Sequence, residues 1–155
     1  MSSNKRVIFW SAVFLALLAC SLLFYLLRPF KEDQRILFFP TETTNQLVGE
    51  MRKIFHLKDV EESMRKLIQE MILGPIELKL GRALPKTTKI RSILVRDKKL
   101  FLDFSYDIIF SDSAIALSFQ EMIQAVKKTI TFNFPWIEDI VVFVEGQQPE
   151  TEHYE

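Results

Sequence analysis

An uncharged, strongly apolar run near the N-terminus, Val7–Leu27, constrains this chain more than any other feature. As an α-helix the run would be about 32 Å long, which matches the thickness of the hydrocarbon core of a bilayer. Lys5 and Arg6 precede it, and a short basic N-terminal tail normally stays in the cytoplasm. The sequence therefore predicts a cytoplasmic tail (residues 1–6), a transmembrane signal anchor (residues 7–27) and export of the remainder of the chain.

Two other interpretations of this run stay open. A cleaved signal peptide usually has a shorter apolar region. The sequence Leu17-Leu18-Ala19-Cys20 is similar to a lipobox, in which the cysteine carries the lipid, so Cys20 is a candidate lipidation site. The run stays apolar after Cys20, however, whereas a lipid-anchored protein usually continues with a polar tether. Cys20 is also the single cysteine of the chain, so no internal disulfide can form.

Composition points to one folded domain outside the anchor. The chain has 155 residues, of which 48% are apolar and 14 are phenylalanine, so it can bury a substantial core. Its 20 basic residues balance its 20 acidic residues. A nucleic-acid partner is not expected, because such proteins usually carry a strong basic excess.

Strand signals recur after the anchor. A short polar linker (residues 28–34) leads to two segments predicted as strands, residues 35–40 and residues 47–55. Alternating apolar and polar residues on both sides of a turn at residues 97–99 predict a hairpin. The β-branched segment of residues 137–146 predicts a last strand.

Helix signals separate these strands. Asp59 and Glu62 have the spacing of a capping box and precede apolar residues that recur with helical periodicity. Gly74 supplies a residue that can close a helix in a left-handed conformation, and Pro75 prevents the helix from continuing. The segment from residue 73 to residue 90 is therefore a connector between a helix and a strand. It does not have the glycine and lysine spacing of a phosphate-binding loop.

A second helix is predicted to begin at Ser113 or Ser118 and to end before Pro135; Ser118 and Glu121 again have capping-box spacing. The order β-β-α-β-β-α-β predicts an α+β fold: a two-layer sandwich with a mixed sheet of about five strands and two helices on one face, preceded by one N-terminal transmembrane helix. The domain would span residues 35–147, with a disordered acidic tail at residues 148–155. The predicted core packs Leu67, Met71, Phe119, Ile123 and Val126 against Leu94, Leu102, Phe104 and Val142.

Residues that could support catalysis are few. His56 and His153 are isolated in the sequence, and each is interpreted as a solvated surface residue. Asp103, Ser105 and Asp107 share one face of a predicted strand, with Asp112 just beyond. Paired carboxylates can perform acid–base chemistry, but a polar strand face that meets water is the simpler interpretation. We therefore expect no enzyme, and no catalytic, metal-binding or cofactor-binding residues.

Basic residues are concentrated in the second half of the connector and in the hairpin. Eight lie between Lys79 and Lys99, against one acidic residue, Asp97. A solvated loop is the simpler interpretation, and a surface for an anionic lipid or another anionic partner is the alternative. The candidate patch consists of Lys79, Arg82, Lys86, Lys89 and Arg91.

Several motifs together resemble the GerMN module, which is named for a bacterial sporulation and spore-germination lipoprotein. They are a helix that ends in LIQEMILGP, the connector L-P-x-x-T-x-I, the strand L-x-x-D-F-S, and a helix before F-P followed by a strand ending in V-x-G. The resemblance covers residues 35–147. It implies a small α+β domain of the ring-building type outside the cytoplasmic membrane, without catalytic residues.

The resulting functional expectation is a membrane-anchored interaction domain of the bacterial envelope. It would have one N-terminal span in the cytoplasmic membrane and would face the periplasm or extracytoplasmic space. Its partner would be another protein or a second copy of the chain. The alternative is a peptidoglycan-associated accessory factor that positions a cell-wall hydrolase.

Overall fold

The computed structural model describes residues 3–27, 32–110, 115 and 117–149, and the chain divides into an N-terminal unit and a second unit that begins at Glu32. The described part of the N-terminal unit is one helix, α1 (Ser3–Leu27). Its Arg6–Leu26 segment is long and apolar enough to cross a membrane, a property that signal sequences share. The predicted N-terminal apolar helix is confirmed, and it begins four residues before the apolar run.

The second unit has the predicted order of strands and helices. A short 3₁₀ turn, Tyr106–Ile108, follows the fourth strand. The first strand begins at Glu32, so the last three residues assigned to the linker belong to it; residues 28–31 lie outside the described residues. The elements are β1 (Glu32–Pro40), β2 (Leu47–Phe55), α2 (Val60–Leu73), β3 (Ile90–Arg96), β4 (Lys99–Phe104), α3 (Phe119–Asn133) and β5 (Asp139–Val144).

The five strands form two sheets, whereas the sequence suggested one. β1 and β2 form an antiparallel ribbon; β3, β4 and β5 form a mixed sheet in which β3 and β4 are antiparallel and β4 and β5 are parallel. The other edge of β1 is covered by α3. Asn133 accepts from the Ile36 amide (3.1 Å) and donates to its carbonyl (2.6 Å), and Thr129 accepts from the Phe38 amide (3.0 Å). Helix side chains thus occupy the edge at which a further strand would pair.

Local capping explains where the helices begin. The Asp59 side chain accepts from the Glu62 amide at 2.9 Å, as the sequence spacing predicted. Ser118 and Glu121 form a complete capping box, in which each side chain bonds to the backbone of the other residue. Of the two predicted starts of α3, Ser118 is therefore confirmed, and Ser113 lies outside the described residues.

The core forms between the helices and the inner faces of the strands. Of the residues predicted for it, Leu67, Met71, Leu102, Phe104, Val126 and Val142 are buried, and Phe119 and Ile123 are partly buried against the core. The prediction that Leu94 belongs to the core is wrong, because Leu94 is 52% exposed and its neighbour Ile93 is 7% exposed. The register of the hairpin pairs Ile93 with Leu102, so Ile93 shares the core face, and a register shift precedes it between Ile90 and Ser92.

This difference gives a matched pair of substitutions. Met71→Asp places a charge without a partner in the core, and we expect it to cost several kcal/mol, a large share of the stability of a small domain. Leu94→Asp lies on the exposed face, and we expect a change of about 0.5 kcal/mol or less. Urea denaturation followed by circular dichroism measures both. Equal losses would show that the core is assigned to the wrong face of β3.

The C-terminal end of α2 is held by two arginine side chains from other segments. Arg52, on β2, donates to the carbonyls of Glu70 (3.1 Å) and Gly74 (2.5 Å). Arg82, in the connector after α2, donates to the carbonyl of Leu73 at 3.1 Å and to that of Ile72. These carbonyls lack partners within the helix, and the C-terminus of a helix favours cations, so both guanidinium groups complete the end of α2.

Gly74 allows this arrangement for two reasons. Its backbone is in the left-handed region, with φ of 94°, where glycine is favoured. A Cβ at this position would also lie 2.6 Å from Nη1 of Arg82. The sequence Leu73-Gly74-Pro75 therefore combines a helix stop with space for the arginine that caps the same helix.

Glu50 completes this network from the other side. Its buried carboxylate bonds to Arg52 at 2.7 Å and accepts from the amides of Ile76 (2.8 Å) and Glu77 (2.9 Å). Burial alone would raise the pKa of Glu50, but the hydrogen bonds from Glu77, Arg52 and Ile76 outweigh it, and the pKa is lower than usual. The network ties β2 to both the end of α2 and the segment that follows it.

The depressed pKa of Glu50 predicts a pH dependence. The stabilisation is fully present above the unfolded-state pKa, near 4.5, and is lost as the pH falls through the lower folded-state pKa. We expect Glu50→Gln to cost about 2 kcal/mol at pH 7, because it removes the charge to which Arg52 and two amides bond and leaves Arg52 with Glu70, 3.2 Å away, as its remaining carboxylate. The free energy of unfolding of this variant should change less between pH 7 and pH 4 than that of the wild type.

Denaturation curves at both pH values check this, with Glu42→Gln as an exposed-carboxylate control. If Glu50→Gln keeps the pH dependence of the wild type, the stabilisation is not carried by Glu50.

Candidate interaction surfaces

The residues considered for catalysis serve local structure. Among the described residues, no group of three or more His, Cys, Asp or Glu side chains could hold a metal ion. Nδ1 of His56 lies 2.8 Å from Oδ2 of Asp33, and Arg35 contacts the same carboxylate oxygen at 2.9 Å. The hydrogen bond with His56 lowers the pKa of Asp33. His56 is thus partly exposed, as expected, and joins the end of β2 to the start of β1; His153 lies outside the described residues.

The carboxylates of the β4 segment belong to two separate networks. Asp103 accepts from the Gly146 amide at 3.0 Å and lies 3.6 Å from Arg91. Ser105 is buried, donates to Asp107 at 2.9 Å and accepts from the Lys89 amide at 3.0 Å. These bonds fix the ends of β3, β4 and β5. The predicted shared strand face is wrong, because only Asp103 lies on β4, whereas Ser105 follows the strand and Asp107 lies in the 3₁₀ turn. Asp112 lies outside the described residues.

The five residues of the basic patch differ in their environments. Lys79, Lys86 and Lys89 are exposed. Arg82 binds the end of α2, and Arg91 contacts Glu145 at 2.6 Å as well as Asp103. The patch remains a prediction, and its accessible charge comes from the three lysines.

A groove that the sequence did not reveal lies between α3 and β5. It has a volume of about 430 Å³, and its lining includes Phe119, Ile123 and Lys127 from α3 and Ile140 and Val142 from β5. β5 is the edge strand of the mixed sheet. The helix side of the groove mixes apolar with polar residues, so no pattern in the sequence marked it.

The chain turns back along this edge of β5. Glu145 and Gly146 both have positive φ, 53° and 78°, as in the tight turns of hairpins. The Val144 amide donates to the Gln147 carbonyl (2.8 Å), and the Gln147 amide donates to the Val144 carbonyl (3.0 Å). Because backbone groups alternate along a strand, Ile140 and Val142 direct theirs to the same outer edge as Val144. Pro149, opposite Val142 in this register, has no amide hydrogen to donate.

Comparison with known proteins identifies the family of this chain. The family model named Germane, described as "Sporulation and spore germination", matches residues 36–150. The chain belongs to the Germane family. The GerMN resemblance recognised in the motifs is therefore confirmed, over almost the predicted range. No protein of curated function matches the sequence.

Solved structures share the fold of this Germane domain. The first GerMN domain of the sporulation protein GerM from Bacillus subtilis has a TM-score of 0.59 and 17% identity, covering 76% of this chain and 86% of that one. The tandem GerMN domains of the same protein have a TM-score of 0.58 and 16% identity, and the match covers 77% of this chain and 41% of that one. This chain therefore spans less than half of the tandem structure. A Clostridium perfringens protein described as a putative lipoprotein has a TM-score of 0.51 and 27% identity, and the match covers 79% of this chain and 81% of that one.

The different environments of the basic residues predict different effects of substitution. Arg82→Ala removes two charge-assisted hydrogen bonds from the end of α2, and we expect a loss of about 1.5–3 kcal/mol. Lys86→Ala changes an exposed side chain of the same connector and should change stability by about 0.5 kcal/mol or less. Thermal denaturation of both variants separates the two roles. If Arg82→Ala is as stable as the wild type, the end of α2 does not depend on Arg82, and its charge can be counted with the basic patch.

Proposed function

We propose that this chain is a membrane-anchored interaction domain of the bacterial cell envelope, with its Germane domain outside the cytoplasmic membrane. The observation that carries the proposal is the order of its parts: an apolar helix long enough to span a bilayer precedes a Germane domain. The family description and the similarity to GerM domains favour a role of the sporulation and germination type.

The domain would act by binding and not by catalysis. Asp103 bonds to the Gly146 amide and Asp107 accepts from the Ser105 hydroxyl. His56 bonds to Asp33, which Arg35 also binds. Two surfaces support binding. One is the outer edge of β5 with its groove, since a strand edge can pair with an extended segment of another chain. The other is the exposed lysines of the connector, which would attract an anionic partner.

The partner in this proposal is another envelope protein or a second copy of the chain, so the domain could self-assemble. A peptidoglycan-associated factor that positions a cell-wall hydrolase is the second candidate, and the accessible lysines favour it because they suit an anionic envelope component. The two candidates differ in solution: self-assembly requires association that depends on concentration, whereas the accessory factor is a monomer that retains a cell-wall enzyme.

The anchor is tested by membrane topology. An alkaline phosphatase fused after residue 149, which is active only outside the cytoplasm, should be active, and the fusion should stay in the membrane fraction at its uncleaved mass. Activity in the soluble fraction would indicate a cleaved signal peptide. Incorporation of a fatty-acid analogue that is lost in Cys20→Ser would show that Cys20 carries a lipid instead.

Binding without catalysis is tested by substitution of the carboxylates and the lysines. We expect Asp103→Asn and Asp107→Asn to support normal function in a complementation assay, since neither carboxylate has a catalytic role. Charge reversal of Lys79, Lys86 and Lys89 should weaken retention by the isolated cell envelope in a salt-dependent way, because surface charges are screened beyond about 8 Å at physiological ionic strength.

The two results can fail independently. Loss of function in a folded, correctly localised Asp103→Asn protein would contradict the proposal of a non-enzymatic domain. Unchanged retention of the triple lysine variant would remove the lysines from the binding surface and leave the edge of β5.

A further inference from the structure

The outer face of β2, from the middle of the strand to its last residue, exposes large apolar side chains next to lysines. Met51 and Phe55 alternate with Lys53 on the outer face of β2, and the three are 63%, 58% and 70% exposed. Leu57 and Lys58 follow after His56 and are also exposed. We call these five residues the ribbon end. Apolar side chains interleaved with lysines are typical of surfaces that lie in the interface of a membrane.

The register of the ribbon places this surface beside the first residue of the folded domain. Glu32 pairs with Phe55 across the two strands. Glu32 is also the fifth residue after Leu27, the last residue of the apolar helix. A chain of five peptide steps reaches at most about 18 Å when fully extended. If the apolar helix lies in a bilayer, the chain therefore enters the ribbon end close to the membrane surface.

The charges near the ribbon end favour an anionic surface. The two carboxylates beside it on β1 are paired: Glu32 lies 3.7 Å from Lys53, so these two charges offset each other, and Asp33 bonds to both Arg35 and His56. Lys58 is exposed and has no ion pair among the described residues. The connecting segment adds Arg28 and Lys31 in the sequence. Lysines and arginines close to a membrane are attracted to anionic headgroups.

We propose that the ribbon end docks on the anionic lipid surface, with Phe55 and Met51 in the headgroup region and Lys58 against lipid phosphates. This inference rests on the proposed membrane anchor. Docking would fix the orientation of the Germane domain on the bilayer through the domain's own side chains. The anchor alone restricts only how far the domain can lie from the membrane.

The test uses the full chain in lipid nanodiscs that contain one chain each. In a Cys20→Ser background, a fluorophore sensitive to polarity is attached at Lys53→Cys, which leaves Phe55 in place. The matched control carries the fluorophore at Leu78→Cys, in the connector after α2, where the side chain is 93% exposed. Melting curves of the labelled proteins should agree with that of the unlabelled protein, because both positions are exposed.

We expect nitroxide lipids to quench the fluorophore at position 53 at least threefold more strongly than at position 78 in discs with 30% phosphatidylglycerol. Phe55→Asp should reduce this ratio towards one, and so should discs of phosphatidylcholine alone. Equal quenching at the two positions in protein that has entered the discs would overturn the docking and leave the anchor intact.

Two further outcomes would also overturn the inference. If the fluorophore at position 53 leaves water only in discs that hold two chains, the ribbon end contacts a second copy of the chain and not the lipid. A chain that stays out of the discs would contradict the proposed anchor, and the docking with it.

Discussion

The two arginine side chains at the end of α2 organise much of this domain. Arg52 comes from β2 and Arg82 from the connector, and together they bind four carbonyls of the last turn and the residue after it. Glu50 neutralises Arg52 and binds the next two free amides. A ribbon, a helix and an irregular connector are therefore joined by one network of charge-assisted hydrogen bonds. Its buried charges are tolerated because each is paired.

A second constraint acts on the opposite edge of the same ribbon. Thr129 and Asn133 of α3 bond to backbone groups of β1 that a neighbouring strand would otherwise use. This contact satisfies the edge of β1 without adding a strand, so the ribbon and the mixed sheet remain separate. The two constraints together place both helices against β1. The outer face of β2, with Met51, Lys53 and Phe55, stays exposed.

Much of the fold was predictable because its signals are local. Asp59 and Ser118 are followed three residues later by glutamate, and both begin helices as capping residues do. The strand at residues 47–55 was predicted with its observed bounds. Leu94 shows where local reasoning failed. Both faces of β3 carry apolar residues, so alternation alone cannot say which face is buried; the pairing of Ile93 with Leu102 decides it.

The sequence by itself determined the apolar N-terminal helix, the order of the elements, the ends of the helices and the family. These depend on hydropathy, capping and motif spacing, which act over a few residues. Only the tertiary structure decided that the strands divide into two sheets, that Arg82 caps a helix while Lys86 stays exposed, and that a groove borders β5. Each of these depends on contacts between segments far apart in the chain, such as Arg52 with Gly74 and Ile36 with Asn133. Such contacts follow from the packing of whole elements, which residue spacing does not specify.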